Sequence, residues 1–289
     1  MQGKIVLITG ATAGIGQEAA RQLAAQGASL VLVGRNEAKC KATAEAIRAE
    51  FPTVRVDFIV GDLSKQADVR QVAATYQSRY ETLDVLMNNA GGFFMNREET
   101  DDGIEYTVAL NHLNYFLLTY ELLNVLKATP KSRIVNVSSD AHTAARLNPA
   151  DFEMKSTYQA WRQYSNTKLM NILFTSALAK RLEGTGVTVN CLHPGFVASD
   201  FGDNNGKDRG LVGRLITSVW RGVKKMTAIS VASGAKTQVY LASSPEVEGV
   251  TGKFFAKNKP VRSSAASYDQ ALSDQLWAWS EAKTGIRYA

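Results

Sequence analysis

The sequence predicts an α/β fold, a doubly wound parallel sheet with helices on both faces, formed by one domain over residues 1–289. Three observations predict it. Short β-branched apolar runs alternate with longer helical patterns along nearly the whole chain. The first run leads directly into a glycine-rich turn, and no repeat, low-complexity tract or linker divides the rest of the chain. Composition agrees, because 45% hydrophobic and 21% charged residues are ordinary for a globular chain of this length. A net charge of +6, scattered rather than run together, argues against nucleic acid as a partner and suits an anionic small molecule equally well. Cys40 and Cys191 are too few and too far apart for a disulfide framework or a metal cluster, so a reducing, cytoplasmic setting without metal is expected. No run is long enough for a secretion signal or a transmembrane segment.

Lys4 to Thr9 reads as a strand buried on both faces. In Thr9-Gly10-Ala11-Thr12-Ala13-Gly14-Ile15-Gly16 the glycines permit a tight turn, and a helix starting near Ile15 points its positive end at whatever the turn holds. Gly14 to Ala19 satisfies the dinucleotide fingerprint between a strand and a helix, which makes the fold Rossmann-type; a glycine turn without ligand is the alternative. The second strand, Ser29 to Val33, ends in Gly34-Arg35-Asn36 with Lys39 one turn on. A basic residue there accommodates a 2′-phosphate, so NADP is expected over NAD, although Arg35 would also serve as plain surface.

A helix over Glu37 to Glu50, a strand over Val54 to Val60 and Gly61-Asp62-Leu63 come next, with Ser64 expected to cap the following helix. The fourth strand, Leu83 to Met87, runs into Asn88-Asn89-Ala90-Gly91, small and amide-rich residues at the carboxyl edge of the sheet. One long helix is expected over Ile104 to Leu126, where Asn111 is either a structural polar plug or part of a site. Arg133 to Val137 is the fifth strand and ends in Ser138-Ser139. After an excursion containing His142, Phe152, Tyr158 and Trp161, a helix carries Tyr164 to about Leu182, and a sixth strand spans Val187 to Leu192. His193-Pro194-Gly195 breaks it, and residues 196–227 read as a substrate lid with a basic amphipathic pattern; membrane-surface contact or plain packing are the other readings. A helix over Ser230 to Ser243, a short strand over Gly252 to Phe255 and a helix over Ala265 to Lys283 complete the chain. Trp277 and Trp279 read as packing.

On the helix containing Tyr164-Ser165-Asn166-Thr167-Lys168, the four-residue spacing places phenol and ammonium on one face. Using a tyrosine near neutral pH requires stabilising its phenolate by about 3 units, and a fixed cation is the usual means.

Thr9-Gly-x-x-x-Gly-x-Gly16, Asn88-Asn-Ala-Gly91, Ser139 and Tyr164-x-x-x-Lys168 occur together and in order. In this the chain resembles the short-chain dehydrogenase/reductase family from Lys4 to the C-terminal helix. Arg35-Asn36, Asn111-His112-Leu113 and Pro245 to Phe255 are similar to its retinol-dehydrogenase-like branch, which includes relatives of WW-domain oxidoreductase and protochlorophyllide reductase. The resemblance implies a catalytic tetrad of Asn111, Ser139, Tyr164 and Lys168. It also implies a pyrophosphate loop shaped by Gly10, Gly14 and Gly16, with Thr12 and Arg35 facing the 2′-phosphate and Ile15 and Asn36 among the other cofactor-binding residues. Asp62 and Leu63 would bound the adenine, Asn89 would contact the adenosine side, and Ala90 and Gly91 would line the cofactor groove. Pro194, Gly195, Val197 and Ser199 would complete the cofactor site, Ser199 standing where many relatives have threonine. The implied activity is an NADP-dependent exchange of an alcohol with an aldehyde or ketone on a fairly apolar small molecule. A homodimer through the helices holding Asn111 and Tyr164 is also implied. A cofactor-sensing module with little catalysis is the competing reading.

Overall fold

Ile5–Thr9 (β1) is buried along nearly its whole length, as an uninterrupted apolar strand covered on both faces must be. It pairs in parallel with Ser29–Gly34 (β2) on one side and Val85–Asn88 (β4) on the other, and β2 continues to Val56–Val60 (β3). Beyond β4 come Arg133–Val137 (β5), Thr188–Leu192 (β6) and Phe254–Ala256 (β7), all parallel, then Lys259–Pro260 (β8), which turns back antiparallel. The order β3-β2-β1-β4-β5-β6-β7-β8 reverses between β1 and β4, where a doubly wound sheet opens a crevice at its carboxyl edge. The computed structural model describes residues 1–197 and 229–288. Apart from Phe196 and Val197, the expected lid over 196–227 lies outside the described residues.

Gly14–Ala24 (α1), Glu37–Glu50 (α2) and Val231–Ser243 (α8) cover one face of the sheet. Gln66–Gln77 (α3), Asn114–Glu121 (α5), Ala160–Arg181 (α7) and Gln270–Thr284 (α9) cover the other, and their apolar sides share one large core with β1, β2, β4, β5 and β6. Ser230 caps α8 by accepting from Ser233 N–H at 3.1 Å, as a serine before an apolar helix should. Among the described residues no helix is long and apolar enough to cross a membrane.

Three expectations need correction. Ser64 does not cap α3: the cap position is Lys65, the Ser64 hydroxyl donates to Asp62 Oδ1 at 2.8 Å, and the Gln66 N–H is taken by Asp102 from a distant loop. Nor is 104–126 one helix. It is Tyr106–Val108 (α4), a π-helical turn over Ala109–Leu113, α5, and Leu123–Ala128 (α6). The widened turn carries Asn111, and such insertions gather at functional places in helices. The terminal helix also begins later than expected, at Gln270, after a 3₁₀ turn over Ala265–Tyr268, because Asp269 caps it by accepting from Leu272 N–H at 3.0 Å.

Candidate active site

The groove starts where β1 ends. Gly10 takes φ +65°, and a Cβ on it would lie 2.8 Å from the Ala90 backbone; one on Gly16 would lie 2.3 Å from Asn89 Nδ2 and 2.4 Å from Gly10 O. Both positions therefore exclude any side chain. Ala13 occupies the cap position of α1 without a side-chain bond, so the helix's first amides face the groove uncapped. The turn is braced from below. Thr9 Oγ1 accepts from the N–H groups of Asn89 and Ala90, both at 2.9 Å, while Asn89 Nδ2 donates to Thr9 O and Gly10 O. The other amide atom, Asn89 Oδ1, is buried at the groove wall without a protein partner. A buried orphan acceptor beside a cradle of uncapped amides fits a dinucleotide, which brings both phosphates and hydroxyl donors.

On the far side of the loop, Gly34 keeps space beside Thr12 and Cys40, since a Cβ there would meet each at 2.9 Å. Asn36 is committed to capping α2, accepting from Lys39 N–H at 3.0 Å. Arg35 leans across the groove and donates to the Tyr106 hydroxyl at 3.3 Å. Asp62 is folded back on the backbone and hydroxyl of Ser64, presenting the Asp62-Leu63 turn to the groove.

The reactive centre lies at the ends of β4 and β5. Tyr164 and Lys168 stand one turn apart on α7, the ammonium 5.4 Å from the phenol ring centre, and the Ser139 hydroxyl is hydrogen-bonded to the phenol. Ser138 anchors the arrangement by donating to Lys168 O at 2.6 Å. The Asn111 side chain accepts from the N–H of Gly92 and donates to its C=O and to Thr167 Oγ1. It is wholly buried at the site's inner wall, with its own carbonyl accepting from Asn171 Nδ2 at 2.9 Å.

Burial dominates the electrostatics here. It pushes the Tyr164 phenol up to about 12, against a smaller downward pull from Ser139, and pushes the Lys168 ammonium down to about 8. Cys191 pulls the ammonium back up by a smaller amount, and Lys168 Nζ makes a long contact to Val137 O, at 3.4 Å.

Pro194, Gly195 and Val197 close the rim, Gly195 with φ +85° and Val197 bridged to Ile229. Phe93 meets both Tyr164 and Trp161 edge-on, with centroids 6.0 and 6.3 Å away. Trp161 and Phe196 remain 54% and 50% exposed, so apolar surface lies open beside the phenol. A groove of about 1210 Å³ runs through this region and takes in every expected cofactor residue except Ser199, a position outside the described residues. The sequence reading missed Asn171, the buried His112 and Ser280 that continue its network, and the role of Phe93. Asn171 had a signal, since Tyr164, Lys168, Asn171 and Thr175 share one face of a helix.

Residues 4–210 match the profile of the short chain dehydrogenase family. The chain belongs to that family. It is 38% identical to retinol dehydrogenase 14 of Homo sapiens, an alignment covering 99% of this chain and 88% of that protein. It is 36% identical to retinol dehydrogenase 12 of Mus musculus over the same shares. Among solved structures, an uncharacterized protein from Mycobacterium paratuberculosis superimposes with a TM-score of 0.78 at 30% identity, covering 100% of this chain and 96% of its own. The likeness to retinol dehydrogenases extends past the family segment into the C-terminal helix, which supports placement in their branch. The protein is accordingly a short-chain oxidoreductase acting on CH–OH groups with a nicotinamide cofactor.

Proposed function

We propose that this dehydrogenase is NADP-dependent and interconverts an alcohol with an aldehyde or ketone on a fairly apolar small molecule. The observation that carries the reading is the hydrogen-bonded Ser139–Tyr164 hydroxyl pair, with Lys168 beside it, in the groove that begins at the glycine turn. Ser139 and Tyr164 would hold the substrate oxygen between two hydroxyl groups, and Tyr164 would pass its proton to that oxygen as negative charge develops. A phenol held protonated by burial is the form that carbonyl reduction requires. For oxidation the same phenol must lose its proton, and the neighbouring Lys168 cation lowers the cost. Asn111 and Gly92 stiffen the inner wall. A bound nicotinamide supplies or accepts the hydride.

Three observations support the finer parts of the proposal. Arg35 follows β2 on the groove wall with Thr12 and Lys39, a basic and hydroxyl setting suited to a 2′-phosphate. Phe93, Trp161 and Phe196 offer apolar surface next to the phenol. Cys40 and Cys191 are both free and buried, which suits a reducing compartment such as the cytoplasm.

The test pairs NADPH and NADH with cinnamaldehyde, nonanal and retinal, for wild type and Tyr164→Phe. Wild type should prefer NADPH, and the variant should lose about a thousandfold in kcat while calorimetry shows its NADPH affinity nearly unchanged. Undiminished turnover in Tyr164→Phe refutes the assigned chemistry, and a preference for NADH refutes the cofactor.

A further inference from the structure

We propose that His142 is a positioning residue for Ser139: its ring ties the carbonyl of that serine to the backbone of the C-terminal segment and so fixes where the Ser139 hydroxyl points. The proposal rests on the reading that Ser139 holds the substrate oxygen.

Ser139 occupies the cap of a 3₁₀ turn over Asp140–Ala144, and its hydroxyl accepts from Ala141 N–H at 3.2 Å, which leaves its one proton for the Tyr164 side. That direction depends on the orientation of the peptide following Ser139. The turn's own bond, from His142 N–H to Ser139 O, is long at 3.2 Å. The imidazole adds a second and shorter one, with Nδ1 2.8 Å from the same oxygen.

The ring's other nitrogen, Nε2, accepts from Ser264 N–H at 3.1 Å. A carbonyl can only accept and an amide can only donate, so Nδ1 carries the hydrogen and Nε2 the lone pair. The two partners lie 125 residues apart, one at the end of β5 and the other just before the turn leading to α9. His142 is 3% exposed, and Phe254 of β7 packs edge-on against it with centroids 4.9 Å apart, which blocks rotation of the ring.

The experiment compares His142→Gln with His142→Asn in the full chain. It follows NADPH oxidation with whichever aldehyde of the panel above wild type turns over fastest. Glutamine can reach Ser264 as an acceptor but moves the donor away from Ser139 O; asparagine keeps a donor near the Nδ1 position. His142→Gln should lose about tenfold or more in kcat, with KM and calorimetric affinity for NADPH unchanged, and His142→Asn should recover most of that loss. Nitrogen-15 ring spectra of the wild type, which has 3 histidines to separate, should show His142 protonated at Nδ1 and bare at Nε2. Wild-type kcat in the glutamine variant, no recovery in the asparagine variant, equal losses in NADPH affinity, or a proton on Nε2 would each overturn the proposal. If Tyr164→Phe itself keeps turnover, the reading of the site falls instead, and the ring spectra still report on the His142 geometry alone.

Discussion

His112 follows Asn111 and is wholly buried, with Nδ1 3.2 Å from Asn171 Oδ1 and Nε2 3.1 Å from Ser280 Oγ. Because the Asn171 amide nitrogen already donates to Asn111 O, its oxygen must accept, and the His112 proton sits on Nδ1. Burial pushes this imidazole down to about 4, overcoming an upward pull from Asn171. Between pH 6.5 and 4 the unfolded chain therefore binds a proton at His112 that the native state refuses. Its contribution is complete above pH 6.5 and declines as pH falls through that window, by about 2 kcal/mol at pH 5. Urea unfolding of wild type and His112→Gln at pH 7 and pH 5 should show a smaller pH effect in the variant. Equal slopes would mean that His112 is protonated in the native state.

The segmented helix from α4 to α6 shows how an element's shape can depend on residues outside it. Glu105 is completely buried at its start, its carboxyl oxygens accepting from the N–H groups of Thr107 and Val108, both at 2.9 Å, and from Gln163 Nε2 at 3.0 Å. Glu105→Gln would turn an amide group toward those donors, at a cost of about 2–3 kcal/mol for the buried clash. Thermal unfolding should show a midpoint several degrees lower, and an unchanged midpoint would deny Glu105 its capping role. Alternating apolar runs made the strands and most helices legible, because that signal is local. Fixed spacings made the glycine turn and the Tyr164–Lys168 pair legible for the same reason. Ile104 to Leu126 is apolar almost all round, so its periodicity could not reveal where Asn171 holds open a π turn around Asn111. Similarly, Ser64 met the local requirements for a cap, but a loop near Asp102 supplied the acceptor instead.

At the level of the whole molecule, the C-terminal segment covers the helices on which a homodimer was expected to form. Trp277 of α9 packs against Phe116 of α5 and Phe174 of α7, with centroids 5.1 and 5.9 Å away, and the Arg181 guanidinium lies 3.7 Å over its ring. Tyr288 joins this seam and donates to Phe116 O at 2.6 Å, while Ser280 reaches His112 and Ser264 reaches His142. A second copy seated on the same face would have to displace these aromatic contacts and the bonds supporting Asn111 and Ser139. Units of activity per milligram should stay constant as the enzyme is diluted toward nanomolar levels, and light scattering should report the mass of a single polypeptide. A loss of activity that tracked dissociation would show that some other surface brings copies together.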